Sequence, residues 1–529
     1  MQSTETFVVP IYKKNMNSKI EIALSTISLM PVSLLAQPHQ QPNIVMILAD
    51  DIGYGDLEWL KNSPTIHTPN VKRLAEKGLC FSNAHATSAT STPSRYGLLT
   101  GMYPWRKPGT GIAAGNAAMI IDPNQYTMAD MFKSKGYATA AVGKWHLGLG
   151  DVAGEQNWNG EITPGLKDLG FDYSYIMAAT ADRVPCVYIE NGKAVNLDPN
   201  DPIEVSYTSN FEGEPTGKDN PELLRLHPSH GHDMAIVDGI SRIGFMKGGH
   251  SARWHDEDIA DRITGKAVEF IQSNKQKPFF LYFGTNDIHV PRMPHDRFKE
   301  KSGMGLRGDA ILSFDYCVGR IMQTLDSLNI ADNTIIILTS DNGPVIDDGY
   351  QDKAVELLGN HKPSADMRGG KYSAFEAGTR VPFIISWKNG LSKQGTSDVL
   401  FSQIDLLASL ANIINADIPA RSAPDSRDYS GALTGKNLKS RNYLIEQNVS
   451  NKLTIQDGKG WKYIESGNGP AMLIPTNTEL GNSPLDQLYN LKSDIGEKKN
   501  VAVKYPKILK RLKKEISKEK RKGYPEKEI

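Results

Sequence analysis

The chain has 529 residues, 39% of them hydrophobic and 8% aromatic, and its 47 Gly and 30 Pro are near ordinary usage. That excludes a peptide hormone, a minimal disulfide scaffold, collagen, a coiled coil and wholesale disorder, and it allows two or three domains or one large α/β domain with an appendage. Lys+Arg and Asp+Glu both number 60, so no overall field favours nucleic acid, and any anion must be met by a local site.

In chain order, Lys13, Lys14 and Lys19 precede an apolar run over residues 20–36 that is interrupted by Glu21 and Pro31, and the sequence then turns polar. Basic, apolar and small residues in that order are the layout of a secretory signal over residues 1–36, starting at Met1 or Met16 and cleaved after Ala36. The run is too short and too broken for a stable membrane span, and no second stretch approaches one. Residues 43–49, apolar after Asn43 and with β-branched Ile44, Val45 and Ile47, lead into Asp50-Asp51, as a central parallel strand covered on both faces would. Similar runs at 138–142, 278–283, 334–339 and 381–387 read as further strands, and helical patterns lie at 68–78, 127–136 and 256–274. Strands alternating with helices imply an α/β fold with a mostly parallel central sheet whose ligands gather beyond the carboxyl strand ends.

Residues 149–255 read as a long, turn-rich insertion within a main domain spanning 37–440. From about Arg441 the pattern changes to short strands at 443–447, 452–457 and 461–465 and a basic helix near 505–521, a small antiparallel sheet with a helix over 441–529. The terminal Lys/Arg run reads as a solvated helix face in preference to a binding patch. Cys80, Cys186 and Cys317 lie in no metal-ligand spacing, so neither a disulfide framework nor structural zinc is expected.

Asp50 and Asp51 at one strand end, with Asp341 and Asn342 at another, offer three carboxylates and an amide, a hard-oxygen set suited to Ca²⁺ or Mg²⁺. In the stretch from Ser91 to Gly101, Ser91 reads as a helix N-cap, Pro93 falls in the first turn and Gly101 ends the helix. A side chain at position 91 would face an anion at the helix N-terminus, with Arg95 one turn further along the same face.

The string Ser91-x-Pro93-Ser94-Arg95-x-x-x-Leu99-Thr100-Gly101 resembles the signature of the type I formylglycine-dependent sulfatases, in the serine-type form found in bacteria. Further motifs follow in that family's order: Ile47-Leu48-Ala49-Asp50-Asp51, Gly143-Lys144-Trp145-His146-Leu147-Gly148, Asp287-Ile288-His289-Val290-Pro291, Asp341-Asn342-Gly343 and Arg368-Gly369-Gly370-Lys371. The resemblance implies an alkaline-phosphatase-like α/β/α sandwich. It also implies oxidation of Ser91 to formylglycine by a serine-type maturation enzyme, and one divalent cation, usually Ca²⁺, held by Asp50, Asp51, Asp341, Asn342 and residue 91. Arg95, Lys144 and Lys371 would neutralise sulfate oxygens, and His146 would deprotonate the hydrated aldehyde so that sulfate leaves. His289 and Lys371 are the candidates to meet the leaving alkoxide. The implied substrate is a sulfated carbohydrate of mucin or glycosaminoglycan type, with galactose or N-acetylgalactosamine sulfate first, and the implied location is the periplasm. Asp182, Arg183, His227, His230 and His232 in the insertion are candidates to hydrogen-bond the sugar. His85, His295 and His361 receive no role. Two alternatives stay open: a phosphate or phosphonate hydrolase using unmodified Ser91, and a non-catalytic glycan-binding member.

Overall fold

The computed structural model describes residues 41–60 and 65–523, and the expected signal segment lies outside them. At its centre five strands run parallel in the order Thr334–Ser340, Asn43–Ala49, Phe279–Gly284, Ala138–Lys144 and Tyr173–Met177. Every residue of the first four is buried, which is why their sequences are largely apolar and do not alternate. Antiparallel or shorter strands extend both edges to a ten-stranded sheet. Phe383–Ser386, expected simply as another strand, pairs antiparallel with Thr334–Ser340.

Helices cover the sheet where the sequence supplies their ends. Pro69 opens Pro69–Glu76. Thr127 caps Met128–Ser134 by a reciprocal capping box with Asp130, worth about 1 kcal/mol. Gly101 closes Ser91–Thr100 in the left-handed region, at φ 63°. The cap at the other end of that helix differs from expectation. Thr90 is the N-cap residue and Ser91 the first helical residue, because the Ser91 hydroxyl is engaged elsewhere, donating to Asn342 Oδ1 at 3.3 Å.

Residues 149–255 are also more regular than their turn-rich sequence suggests. Tyr173–Met177 is an integral strand of the parallel core. Its sequence, YSYIM, is short and aromatic and lacks the aliphatic run that marks its neighbours. Among the described residues no helix is long and apolar enough to cross a membrane, and Cys80, Cys186 and Cys317 are buried and free.

Near the carboxyl end, Tyr443–Gln447, Leu453–Asp457, Trp461–Ile464 and Gln487–Asn490 form a four-stranded antiparallel sheet, the last strand being additional to those expected. Lys462, on its third strand, is fully buried and donates to Glu376 at 3.0 Å, with Glu497 at 3.2 Å. The helix Pro506–Arg521 packs Leu512 and Ile516 into the apolar cluster of this sheet.

Candidate active site

The carboxyl ends of four parallel strands converge on the N-terminus of Ser91–Thr100. Asp50 and Asp51 follow Asn43–Ala49, and Asp341 and Asn342 follow Thr334–Ser340. His289 lies beyond Phe279–Gly284, while Lys144 ends its strand with His146 two residues on. Gly343 lets the chain turn under this cluster, since a Cβ there would stand 1.7 Å from the carbonyl of Ala377. Asp51, His146 and Tyr372 all take left-handed backbone conformations, at φ 61°, 60° and 78°. Strain of this kind persists only where surrounding structure imposes it.

The arrangement has a buried floor and an open wall. In the floor, Lys144 Nζ donates to Asp50 Oδ1 at 2.6 Å and to Ser91 Oγ at 2.9 Å. Arg95 is wholly buried and donates through Nε to Asp341 Oδ2 at 2.9 Å and through Nη1 to the Lys144 carbonyl at 3.1 Å. Asn342 Nδ2 donates to Asp51 Oδ1 at 2.7 Å. Lys371 Nζ bridges Asp51 Oδ2 at 2.8 Å and Asp348 Oδ2 at 2.7 Å. Ligand atoms of Asp50, Asp51 and His289 lie within 4.8 Å of one another, and Asp50 Oδ2 is buried with no hydrogen-bond partner.

Above this floor opens a small cleft lined by Ser91, His146, His289 and Lys371 and also by Asp182, Arg183 and His232. Arg95 does not line it. Arg95 lies behind the floor, its guanidinium bonded to Asp341. His227 and His230 also stand outside the lining. His227 is exposed, and His230 lies near Asp347 at 3.8 Å. Asp348 and Tyr372 line the cleft without having been expected, and Tyr372 donates to Asp348 Oδ1 at 2.7 Å. The one sequence signal for them was their place in or beside the loop leading to Lys371. The three histidines without a role are tied elsewhere: His361 to Asp56 at 2.7 Å, His85 to Glu446 at 3.0 Å, and His295 as the cap of Asp296–Phe298.

Burial and charge divide the acids. Burial pushes Asp50 well above the usual carboxylate range, Lys144 only partly offsetting it while Asp341 and Asp51 add to it. Burial also opposes the charge on Asp51, but Lys371 and Lys144 overcome that and hold it below its ordinary value. Asp341 is lowered in the same way, burial being outweighed by Arg95 and Lys144. Burial, reinforced by the Lys144 cation, drives His146 well below the ordinary histidine value. His289 is driven down by burial with help from Lys371. Hydrogen bonding fixes their tautomers. His146 Nε2 faces the Ala113 carbonyl at 3.0 Å and His289 Nδ1 the Val290 carbonyl at 2.8 Å. A carbonyl only accepts, so each nitrogen carries the proton and the other bears a lone pair. His146 Nδ1 is buried with no partner.

Asp287, although part of a motif, does not line the cleft. Burial pushes its carboxyl up to about 7. The fold thus favours the neutral acid, so its contribution to stability is complete below the unfolded value near 4 and is lost as pH rises through about 7. Asp287→Asn is expected to match the parent near pH 4 and to exceed it by about 2–4 kcal/mol at pH 8. Urea midpoints at the two pH values check this.

Comparison with known proteins agrees with the geometry. The family model described as Sulfatase matches residues 42–416. An N-acetylgalactosamine-6-O-sulfatase of Bacteroides thetaiotaomicron is 56% identical over 476 residues, covering 90% of this chain and 92% of the relative. Human arylsulfatase A is 28% identical over 499 residues, covering 89% and 86%. A solved 6S-sulfatase structure from work on glycosaminoglycan metabolism by B. thetaiotaomicron superposes with a TM-score of 0.89 at 55% identity, covering 90% of this chain and 99% of that one. A family match across most of the fold, and a relative that agrees at more than half of its aligned positions, place this chain in the sulfatase family.

Proposed function

We propose that the chain hydrolyses sulfate esters on carbohydrates, with 6-O-sulfated N-acetylgalactosamine as its sugar, at the cleft above Ser91. The observation that carries the reading is the convergence on Ser91 Oγ of a buried ammonium at 2.9 Å and a buried amide at 3.3 Å, at a helix N-terminus beside two histidines. The sulfatase relatives favour this reading over the phosphate-hydrolase and binding-only alternatives, and the 6-sulfated sugar follows the relative that is 56% identical.

The floor fits a divalent cation. Its donors are carboxylate and amide oxygens, and the buried Asp50 Oδ2 is left without a hydrogen-bond partner, a position a cation would fill. Asp50, Asp51, Asp341 and Asn342 would hold it, with Ca²⁺ the ion of choice. When bound, it supplies positive charge that polarises a sulfate oxygen and acidifies a hydroxyl at residue 91. Oxidised to formylglycine by a serine-type maturation enzyme, residue 91 supplies the hydrated aldehyde as nucleophile.

The chain's own residues do the rest. Lys144, fixed between Asp50 and Ser91, places positive charge beside the attacking oxygen, and Arg95 holds Asp341 in place from behind. His146, neutral and with Nδ1 bare, is the base that takes the proton from the second hydroxyl. His289 spends its proton on the Val290 carbonyl, so Nε2 accepts and does not donate. Lys371, kept cationic by Asp348 and Asp51 against its burial, therefore meets the charge on the leaving sugar oxygen.

Asp182 sits at the wall with its carboxylate held by His232 Nε2 at 2.9 Å and Arg183 Nη1 at 2.8 Å. These groups would bond the sugar hydroxyls and, left unpaired by a wrong isomer, reject it. The reading is tested with matured protein on 6-sulfated N-acetylgalactosamine, its 4-sulfated isomer, 6-sulfated galactose and N-acetylglucosamine, and an aryl sulfate. Asp182→Asn and His232→Ala are each expected to lower kcat/KM for the preferred sugar by about 10–100-fold, one or two lost hydrogen bonds, and to change the aryl sulfate by less than about threefold. An equal loss on both substrates would remove these residues from sugar selection, and preference for another sugar would overturn the substrate. The signal segment implies export, which we place in the periplasm; fractionation of the source cell tests it.

A further inference from the structure

The helix Pro506–Arg521 carries eight cationic side chains, and the structure sorts them into two sets. Arg511, Lys513 and Lys520 turn to the four-stranded sheet and meet Asp457 at 2.5 Å, Asp486 at 2.6 Å and Glu465 at 2.6 Å. The other five, Lys507, Lys510, Lys514, Lys518 and Arg521, are exposed, and none is ion-paired among the described residues. Their spacing of three, four, four and three residues puts them within an arc of about 80° along about 21 Å of helix. Of the helix's two acids, Glu519 is buried against Arg106 and Tyr443, and Glu515 stands at the margin of the stripe.

Helix stability does not explain such a row. Like charges one turn apart destabilise a helix, and the docking of this one is already supplied by Leu512, Ile516 and the paired cations. The chain as a whole has zero formal charge, so the stripe is a local concentration. Its chemistry also narrows the partner. The apolar side of the helix is buried against the sheet, so the helix cannot lie in a membrane as an amphipathic anchor does. No aromatic residue interrupts residues 507–521, so the stripe offers no platform for nucleic-acid bases.

We propose that this stripe is a docking surface for a sulfated polysaccharide, holding a polymer by its repeating anionic groups apart from the catalytic cleft. The identity of the polyanion rests on the carbohydrate-sulfatase reading of the cleft; the charge complementarity belongs to the helix.

The test uses the full chain and the variant K507Q/K510Q/K514Q/K518Q/R521Q, with chondroitin sulfate polymer as the probe. Binding is measured from low to moderate salt, alongside kcat/KM on a 6-sulfated monosaccharide. The variant is expected to bind the polymer at least about tenfold more weakly, with a salt dependence shallower by several counterions, and to keep monosaccharide turnover within about twofold. K507R/K510R/K514R/K518R is expected to bind as the parent does, separating loss of charge from loss of fold. Unchanged binding and salt slope in the glutamine variant would overturn the proposal. Equally tight, stripe-dependent binding of duplex DNA of matched charge, or of unsulfated hyaluronate, would also overturn it. If the parent desulfates no sugar, the reading of the cleft fails, while binding of the polymer still decides the stripe.

Discussion

Ser91→Ala is expected to reduce sulfate-ester hydrolysis to background, a loss of about six orders of magnitude if residue 91 behaves as other covalent nucleophiles do. The protein should still fold. Ser91 is not the helix cap, so no cap energy is lost. Its hydroxyl makes one long bond to Asn342 and accepts one from Lys144, and Lys144 keeps its ion pair with Asp50. Removing the hydroxyl thus costs about 1 kcal/mol. The same reasoning applies to protein made without a serine-type maturation enzyme, which should be folded, cation-binding and nearly inactive. Mass spectrometry of the peptide around residue 91, read beside turnover, checks both claims. Full turnover by the unmodified serine form would sink the formylglycine assignment.

Asp341→Ala is expected to lose activity and stability together, for two separable reasons. The carboxylate partners a guanidinium with no exposure to water, and stripping one member from a buried pair leaves an uncompensated charge that costs about 3–5 kcal/mol. It also belongs to the proposed cation site, so the variant should lose the stabilisation a bound ion adds by mass action. The two parts separate in a thermal titration. The parent's Tm should rise with added Ca²⁺ and fall with chelator, whereas the variant should begin lower and respond to neither. A variant that kept its calcium dependence would take Asp341 out of the ligand set.

Much of this arrangement was legible before any coordinates. The parallel core could be read because a strand covered on both faces must be apolar at every position, and four such runs end in the polar groups that make the site. Tyr173–Met177 could not, because its aromatic alternation looks like an edge strand. The motif string brought Ser91, Lys144, His146 and Lys371 to one place, but it could not distinguish floor from wall. Arg95 shows the limit: its place along the helix can be read, but nothing in the sequence pairs it with Asp341. Of the sugar candidates, Asp182, Arg183 and His232 reach the cleft. His227 and His230 do not, since polar loop residues carry no periodicity that reveals which way they face. Asp348 escaped because its role depends on Lys371, 23 residues later.

The position of Asn43–Ala49 has a temporal consequence. This strand is the middle of the sheet but comes early in the chain, and Asn43 meets Thr334 across 291 positions. During synthesis its hydrogen-bonding edges have no partners until the ribosome has passed the later strands, so the core closes only when most of the chain exists. Ser91 is 4% exposed in the folded chain, so on the formylglycine reading a modifying enzyme would reach it most readily before the core closes. If residue 91 is matured as proposed, the late arrival of the strands that complete the sheet would lengthen the interval open to the modifying enzyme, and a variant that folded faster around residue 91 is expected to carry less formylglycine by mass spectrometry.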